Sequence, residues 1–270
     1  MCGIAAILLN PQSRTAAEWQ AIREIFTRNL LFNEERGRAA TGLAVMHCDG
    51  STDLYKAPLP ASQFVETPRY LSFLDQVNDQ TTLILGHTRL PTKGDPTNEQ
   101  NNHPIHTGPV FGVHNGHIKN DNQLFDQLGY HRQAEVDSEI IFQMLAAFSP
   151  QPPPDVYLAQ ISHQITLLQG QFTFIAYDQR SPYGLLVLKH NNPLCIHFHE
   201  PWNALIFSSR YIFLRKAFGF SLITETLAHD QLMLFDARAI SRERTQPPYA
   251  LSLTFDDGDS PNGSRNSPGG

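Results

Sequence analysis

The chain enters an apolar run almost as soon as it begins. Ile4 to Leu9 is uninterrupted apolar sequence and ends at Asn10 and Pro11. A short apolar run bounded by turn-forming residues is typical of a buried strand. The ends of most domains are loosely held. A buried strand at this position therefore predicts that the amino terminus itself is fixed within the fold.

Amphipathic helices and short strands fill the rest of the sequence. Apolar residues recur at helical spacing behind Thr15, and further helices are predicted over about 122–128, from about Asp137, and over about 156–168. Strands are predicted at 41–46, 82–87, 110–114, 172–177, 185–188, 196–199, 205–208 and 232–235. We expect the strand at 110–114 to turn sharply at Asn115 and Gly116. Closely spaced short strands favour antiparallel sheets, and grouped helices favour an α+β layered sandwich over a doubly wound parallel fold.

Two segments have biased composition. The proline-rich stretch 149–154 is interpreted as a loop inside one domain that spans residues 1–255. Residues 256–270 contain no large apolar side chain, so we predict a disordered tail.

Composition excludes several classes of function. The 26 acidic and 20 basic residues give a formal charge of -6, which does not suit a nucleic-acid partner. No apolar run approaches the roughly 20 residues that cross a membrane, and no secretory signal is recognisable, so we expect a cytoplasmic protein. Neither the P-loop nor the dinucleotide pattern occurs, which argues against kinases and dehydrogenases. We predict no cofactor.

Cys2 is the first candidate for chemistry. Removal of Met1 would leave a thiol and a free α-amine on one residue, and an α-amine with a pKa of about 7.7–8.0 is a built-in general base. A lone cysteine is more often a small buried hydrophobic residue. The strand that follows at once favours the catalytic interpretation.

Three further groups would complete a site for an α-amino acid. Arg89 with Thr92 could bind a carboxylate, although a surface ion pair is the plainer alternative. Asn115 and Gly116 could supply two donors to an oxyanion, or only form a turn. Asp137 could accept an ammonium group, or only cap the helix that follows. Together these groups match a free α-amino acid that carries a side-chain carbonyl.

Twelve histidines raise the question of a metal. His103 with His106, and His114 with His117, are spaced three apart, but they fall in loops or at a strand end and no cysteine or carboxylate cluster completes a set. His197 and His199 share one face of a predicted strand, and we interpret them as ordinary sheet residues. We predict no metal site.

Several ordered motifs resemble a known family. The start Cys2-Gly3-Ile4, the strings GHTRLPTKG (86–94) and NNHPIHTGPVFGVHNGHIKN (101–120), and Asp137-Ser138-Glu139 resemble class II glutamine amidotransferases. These are N-terminal-nucleophile glutaminase domains, and the closest likeness is to that of glucosamine-6-phosphate synthase, over about residues 2–219. The resemblance implies a four-layered αββα sandwich.

The resemblance also implies a role for individual residues. Cys2 resembles the nucleophile, Asn115 and Gly116 the oxyanion hole, and Arg89 with Thr92 the clamp on the glutamine α-carboxylate. Asp137 resembles the acceptor of the α-ammonium. His103 falls at a position that lines the site, and Arg36 fits an arginine near the nucleophile.

The sequence also departs from the family pattern. The segment Arg36-Gly37-Arg38-Ala39-Ala40-Thr41-Gly42 lacks an expected Asp and Ser, Leu90 replaces an aromatic residue, and the chain ends soon after the glutaminase region. Three hypotheses stay open: a glutaminase that passes ammonia to a separately encoded synthase subunit, a non-catalytic glutamine-binding or regulatory subunit, and a hydrolase of asparagine or another γ-glutamyl amide. A homo-oligomer is compatible with each.

Overall fold

The structure is a computed structural model that describes residues 1–255. The predicted disordered tail, residues 256–270, lies outside the described residues. The strands are β1 Gly3–Leu9, β2 Ala40–His47, β3 Thr52–Ala57, β4 Thr81–Arg89, β5 Ile105–Thr107, β6 Val110–Ile118, β7 Gly170–Asp178, β8 Gly184–Lys189, β9 Cys195–His199, β10 Ala204–Ser208, β11 Glu225–Thr226, β12 Gln231–Asp236 and β13 Tyr249–Ser252. The helices are α1 Ala16–Asn33, α2 Ala61–Phe64, α3 Pro68–Asp75, α4 Asp121–Leu128, α5 Glu139–Ala146, α6 Pro154–Ile165, α7 Tyr211–Phe218 and α8 Ile240–Glu243.

Two antiparallel sheets form the centre of the molecule. One sheet has the order β11-β9-β10-β1-β4-β2-β3, and the other has the order β13-β12-β8-β7-β6-β5. Their facing sides enclose one apolar cluster, which includes Ile4, Leu85 and Val113. Helices α1 and α7 cover the outer face of the first sheet, and α4, α5 and α6 cover that of the second. The predicted α+β fold with four αββα layers is confirmed.

Strand β1 occupies an inner position of the first sheet. It pairs with β10 on one side and with β4 on the other, and each of its residues is buried. Alternate side chains therefore enter the core between the sheets or the core under α1. This pairing on both sides fixes the position of residues 3–9 in the sheet.

Helix α1 begins where the sequence predicts. The Thr15 side chain accepts a hydrogen bond from the backbone N–H of Glu18, and the Glu18 carboxylate accepts one from the N–H of Thr15. This capping box satisfies two of the free N–H groups at the helix start. Trp19, Ile22 and Phe26 then form the stripe that packs against β1 and β4.

Strand β6 differs from its prediction. It does not turn at Asn115 and Gly116 but continues to Ile118, with those two residues paired to Thr173 and Phe172 of β7. The long partner strand supplies a full ladder, which outweighs the turn preference of an Asn-Gly pair. The edge strands β3, β5, β11 and β13 and helices α2, α3, α7 and α8 were not predicted. Within residues 1–255, no helix is long and apolar enough to cross a membrane.

Candidate functional site

Cys2 lies at the junction of β1 and β4. Gly3 pairs with Thr88, so the thiol stands beside the residue that follows β4. The Leu90 N–H donates to Cys2 Sγ at 3.3 Å, and the thiol lies 3.4 Å from the Leu90 carbonyl oxygen. Burial raises the pKa of the Cys2 thiol, while the Leu90 backbone, the chain's amino terminus, Arg89 and Arg36 oppose that rise. In this state the thiol is therefore protonated at neutral pH.

A small, narrow cavity of about 10 Å³ lies at Cys2. The sequence singled out eight candidate site residues, and six of them line this cavity: Cys2, Arg89, Thr92, His103, Gly116 and Asp137. Cys2 directly precedes β1, Arg89 and Gly116 lie in β4 and β6, and the others lie in the loops after β4, before β5 and before α5. The fold thus collects in one place groups that are up to 135 positions apart, from 2 to 137.

Arg89 is a buried cation at one side of this cavity. Its guanidinium donates to Asn102 Oδ1 at 2.7 Å and to the carbonyl oxygens of Lys93 and Gly94. All three acceptors are neutral, and no ion pair to Arg89 is found within residues 1–255. Burial lowers the pKa of Arg89, opposed by the charges of Cys2 and Asp137. A buried guanidinium without an anionic partner is suited to bind an incoming carboxylate.

Asp137 supplies a buried carboxylate to the same cavity. Its Oδ2 accepts a hydrogen bond of 2.6 Å from the Ile118 N–H and lies 3.3 Å from His117 Nδ1. Helix α5 begins at Glu139 with Ser138 before it, and Asp137 makes no capping bond to this helix. The plainer interpretation as a helix cap is therefore not what the structure has. Arg89 and Asp137 together present opposite charges, the pattern that a zwitterionic α-amino acid requires.

Asn115 and Gly116 are adjacent in β6 but differ in their surroundings. Gly116 lines the cavity with a φ of 136°, and a Cβ there would lie 1.8 Å from the Gln171 carbonyl oxygen, so no other residue fits. The Asn115 side chain is fully buried outside the cavity lining, and its Nδ2 donates to Ser209 Oγ at 2.9 Å. The two predicted oxyanion donors are thus neighbours, and only one of them faces the cavity in this state.

Arg36 acts on the backbone of Cys2 and not on the cavity. Its Nε donates to the Cys2 carbonyl oxygen, which ties Cys2 to the short helical turn after α1. Arg36 and Arg210 line a separate groove with Met1, Leu90 and Pro91 on the side of the amino terminus. Thr92, in contrast, lines the cavity itself.

Three buried imidazoles, those of His87, His103 and His114, are grouped at the cavity, and His103 and His114 are part of its lining. The rings of His87 and His103 are 4.3 Å apart, and those of His103 and His114 are 6.4 Å apart. Desolvation lowers the pKa of all three, that of His87 to about 3. They are therefore neutral at pH 7. Within residues 1–255, no three histidine, cysteine or acidic side chains are grouped to hold a metal ion.

We expect the free energy of unfolding to fall as the pH drops below about 6.5. His87 gains its proton near pH 6.5 when unfolded but near pH 3 when folded, so the unfolded state binds more protons between these values. For His87 alone the loss is about 3 kcal/mol at pH 4.5. Urea unfolding of wild type and His87→Gln at pH 7.5, 6 and 4.5 measures it, with exposed His163→Gln as control. Equal pH slopes for wild type and His87→Gln would contradict the prediction.

The sequence did not single out several residues that the structure adds. Lys93, Val136 and Ser138 also line the cavity, and Ser138 Oγ lies 2.7 Å from His114 Nδ1. Leu90 appeared only as a departure from the family pattern, yet its backbone contacts the thiol. Each is adjacent in sequence to a predicted site residue, and this adjacency is the only feature of the sequence that could have identified it.

Comparison with known proteins adds independent observations. Residues 87–216 match the family described as "Glutamine amidotransferase domain". Glutamine–fructose-6-phosphate aminotransferase (isomerizing) of Shewanella oneidensis is 28% identical over 203 residues, which are 73% of this chain and 30% of that protein. The enzyme of the same name from Streptococcus pneumoniae is 27% identical over 263 residues, 94% of this chain and 40% of that protein. The chain thus spans well under half the length of these relatives.

Solved structures agree in fold. Glutamine phosphoribosylpyrophosphate amidotransferase of B. subtilis, complexed with ADP and GMP, matches with a TM-score of 0.65 and 18% identity. The match covers 87% of this chain and 47% of that one. Residues 87–216 thus match a glutamine amidotransferase domain, and the chain is similar in sequence to glutamine–fructose-6-phosphate aminotransferases and in fold to a glutamine phosphoribosylpyrophosphate amidotransferase.

Proposed function

We propose that this chain hydrolyses the side-chain amide of glutamine through a thioester on Cys2 and releases ammonia and glutamate. The observation that carries the proposal is the single cavity in which the Cys2 thiol, the Arg89 cation and the Asp137 carboxylate meet. Arg89, assisted by Thr92, binds the α-carboxylate, and Asp137 binds the α-ammonium. Both ends of the amino acid are then held, and its side chain is directed to the thiol.

The proposed reaction has two steps. The α-amine of Cys2, freed by removal of Met1, takes the thiol proton, and the thiolate attacks the amide carbon. The oxyanion receives hydrogen bonds from the Gly116 N–H and the Asn115 amide. Its collapse breaks the C–N bond, and the protonated amine returns its proton to the departing ammonia. Water then attacks the γ-glutamyl thioester, which gives glutamate and restores the thiol.

Removal of Met1 is the first requirement, because with Met1 attached the Cys2 nitrogen belongs to a peptide bond and is no base. We expect the intact mass of the purified protein to lack one methionine residue. We also expect glutamate release from glutamine, and covalent labelling of Cys2 by a chloroketone analogue of glutamine, located by peptide mapping. Retention of Met1 together with glutamate release would overturn the proposed base. Absence of both release and labelling in protein that lacks Met1 would overturn the proposed function.

A second candidate function has one observation in its favour. The Asn115 amide donates to Ser209 Oγ and stands outside the cavity lining, so the oxyanion site is incomplete in this state. A chain that binds glutamine without turnover, as a sensing or regulatory subunit, would need only Arg89 and Asp137. Calorimetric binding of glutamine with no release of glutamate would favour this second function.

The proposal extends to an acceptor of the ammonia. Ammonia that forms at Cys2 escapes into water unless an acceptor lies nearby. The groove whose lining includes Arg36, Leu90 and Arg210 lies on the side of the amino terminus and offers a surface for an ammonia-accepting synthase subunit. Such a subunit is expected to raise the rate of glutamate release when it is added to the chain.

A further inference from the structure

A second cavity, distinct from that at Cys2, lies at the end of the sandwich where β8, β9, β11 and α7 meet. It measures about 750 Å³. Its lining is formed by Lys189, Pro193, Leu194, Cys195, Ser209, Arg210, Tyr211, Ile212, Thr224 and Thr226. Two of these residues carry positive charge, and none of the described lining residues is an aspartate or glutamate. The cavity is therefore cationic and rich in hydroxyl groups.

Lys189 is the most constrained of these groups. It is only 3% exposed, and its Nζ donates to the Leu227 carbonyl oxygen at 3.1 Å and to His229 Nε2 at 3.0 Å. His229 Nδ1 lies 2.6 Å from the His190 carbonyl oxygen, so Nδ1 carries the proton and Nε2 is a neutral acceptor. The ammonium has three N–H donors, and two are used. A buried cation with neutral partners and one free donor lacks the counter-ion that such a group normally has.

Ser209 offers a second buried donor. It is 1% exposed, and its Oγ accepts hydrogen bonds from the Ile4 N–H at 2.7 Å and from Asn115 Nδ2 at 2.9 Å. Because both of these bonds use the oxygen as acceptor, the hydroxyl hydrogen is left to donate. Ser209 therefore lines this cavity with a hydroxyl group that can still donate a hydrogen bond, while its oxygen contacts Asn115.

Arg210 supplies the exposed charge. Within residues 1–255 its guanidinium has no ion pair, and its charge acts unfavourably on Arg36. Helix α7 begins directly after Arg210, so the N–H groups of Tyr211 and Ile212 have no partner within the helix and add partial positive charge. Glu225 is the one acidic residue adjacent in sequence to a lining residue. It neighbours Thr226 in β11, so its side chain points to the opposite face of the strand, where it accepts a hydrogen bond from Thr245.

We propose that this cavity binds the phosphate group of a small phosphate monoester. Lys189, Ser209 and Arg210 line this one cavity with three donor groups, two of them charged, which is the set that a phosphate dianion prefers. The volume exceeds that of a phosphate ion, so the ester group of the ligand also fits. The proposal is independent of glutamine hydrolysis, because binding is measured without glutamine.

Glycerol 3-phosphate is a suitable probe, with glycerol as the uncharged comparison. Titration calorimetry is expected to give saturable one-site binding of glycerol 3-phosphate to wild type, competition by inorganic phosphate, and no binding of glycerol. Arg210→Gln and Lys189→Met are each expected to weaken binding by roughly tenfold or more. Arg215→Gln removes the same charge from the exposed side of α7 and is expected to change affinity by less than about twofold.

Two results would overturn the proposal. One is the absence of saturable binding to wild type, and the other is wild-type affinity in Arg210→Gln. Because Arg210 is exposed, this variant is expected to fold, as circular dichroism would verify, and it decides the question even if the buried substitution Lys189→Met prevents folding.

Discussion

Cys2→Ala is expected to lower the rate of glutamate release from glutamine by about 10⁴-fold or more. The variant lacks the atom that forms the thioester, and no other thiol lies in the cavity, since Cys48 and Cys195 are elsewhere in the described fold. Glutamine affinity should be retained, because Arg89 and Asp137 are unchanged. The measurement is enzyme-coupled detection of glutamate, with glutamine binding followed by calorimetry.

Cys48→Ala is the matched control for this prediction. Cys48 is a partly exposed thiol that donates to Gln80 Oε1 on the surface and is not part of the cavity lining. Its substitution should leave glutamate release unchanged within about twofold. If Cys2→Ala retained a substantial part of the wild-type rate, while Cys48→Ala behaved as wild type, another group would be the nucleophile.

Substitution of Arg89 is expected to act on glutamine binding. Two charge-assisted hydrogen bonds to the α-carboxylate contribute about 2–4 kcal/mol together, so Arg89→Met should weaken glutamine binding by roughly 30- to 1000-fold. Arg89→Lys keeps the charge but not the planar two-pronged donor, and an intermediate loss is expected. The measurement is the dissociation constant of glutamine for each substitution in the Cys2→Ala background.

A control is needed to separate a direct loss of carboxylate binding in these variants from a disturbance of the nearby loop. Arg89 also donates to three loop acceptors, so its loss will disturb the loop 90–94. The dissociation constants of glutamine and of 4-aminobutanamide, which is glutamine without its α-carboxylate, should then be compared, because only a ligand with the α-carboxylate depends on Arg89. Arg215→Met is the control on α7. Equal glutamine affinity in wild type, Arg89→Lys and Arg89→Met would contradict the assignment.

The sequence by itself determined most of the framework. Runs such as Ile4 to Leu9 are apolar on both faces, and strands of this kind must be covered on both sides, which leads to layered sheets. Apolar residues at helical spacing behind Thr15 located the start of α1, and the structure adds a capping box there whose bonds join residues three apart. The candidate site residues were chosen for a similar reason, since each belongs to a short motif whose order along the chain is informative.

The exposed edge strands were harder to predict. In β3 most residues are only partly buried, so the alternation of apolar and polar residues is weak. Helix α7 was missed although it packs on α1, because it is short and follows strand β10 almost directly. Strand β6 passes through Asn115 and Gly116 because β7 pairs along it, and local turn preference contains no information about that partner.

Only the tertiary structure decided what the polar groups contact. Asp137 could have capped α5, but its carboxylate accepts from Ile118, 19 positions earlier, and so faces the cavity. The Asn115 amide meets Ser209, 94 positions later, and Lys189 meets the backbone of Leu227. The sequence determined which residues are apolar, which are reactive and how each segment folds locally. The packing of two sheets decided which distant groups meet, because hydrogen bonds and charges between remote segments leave no periodic signal in the chain.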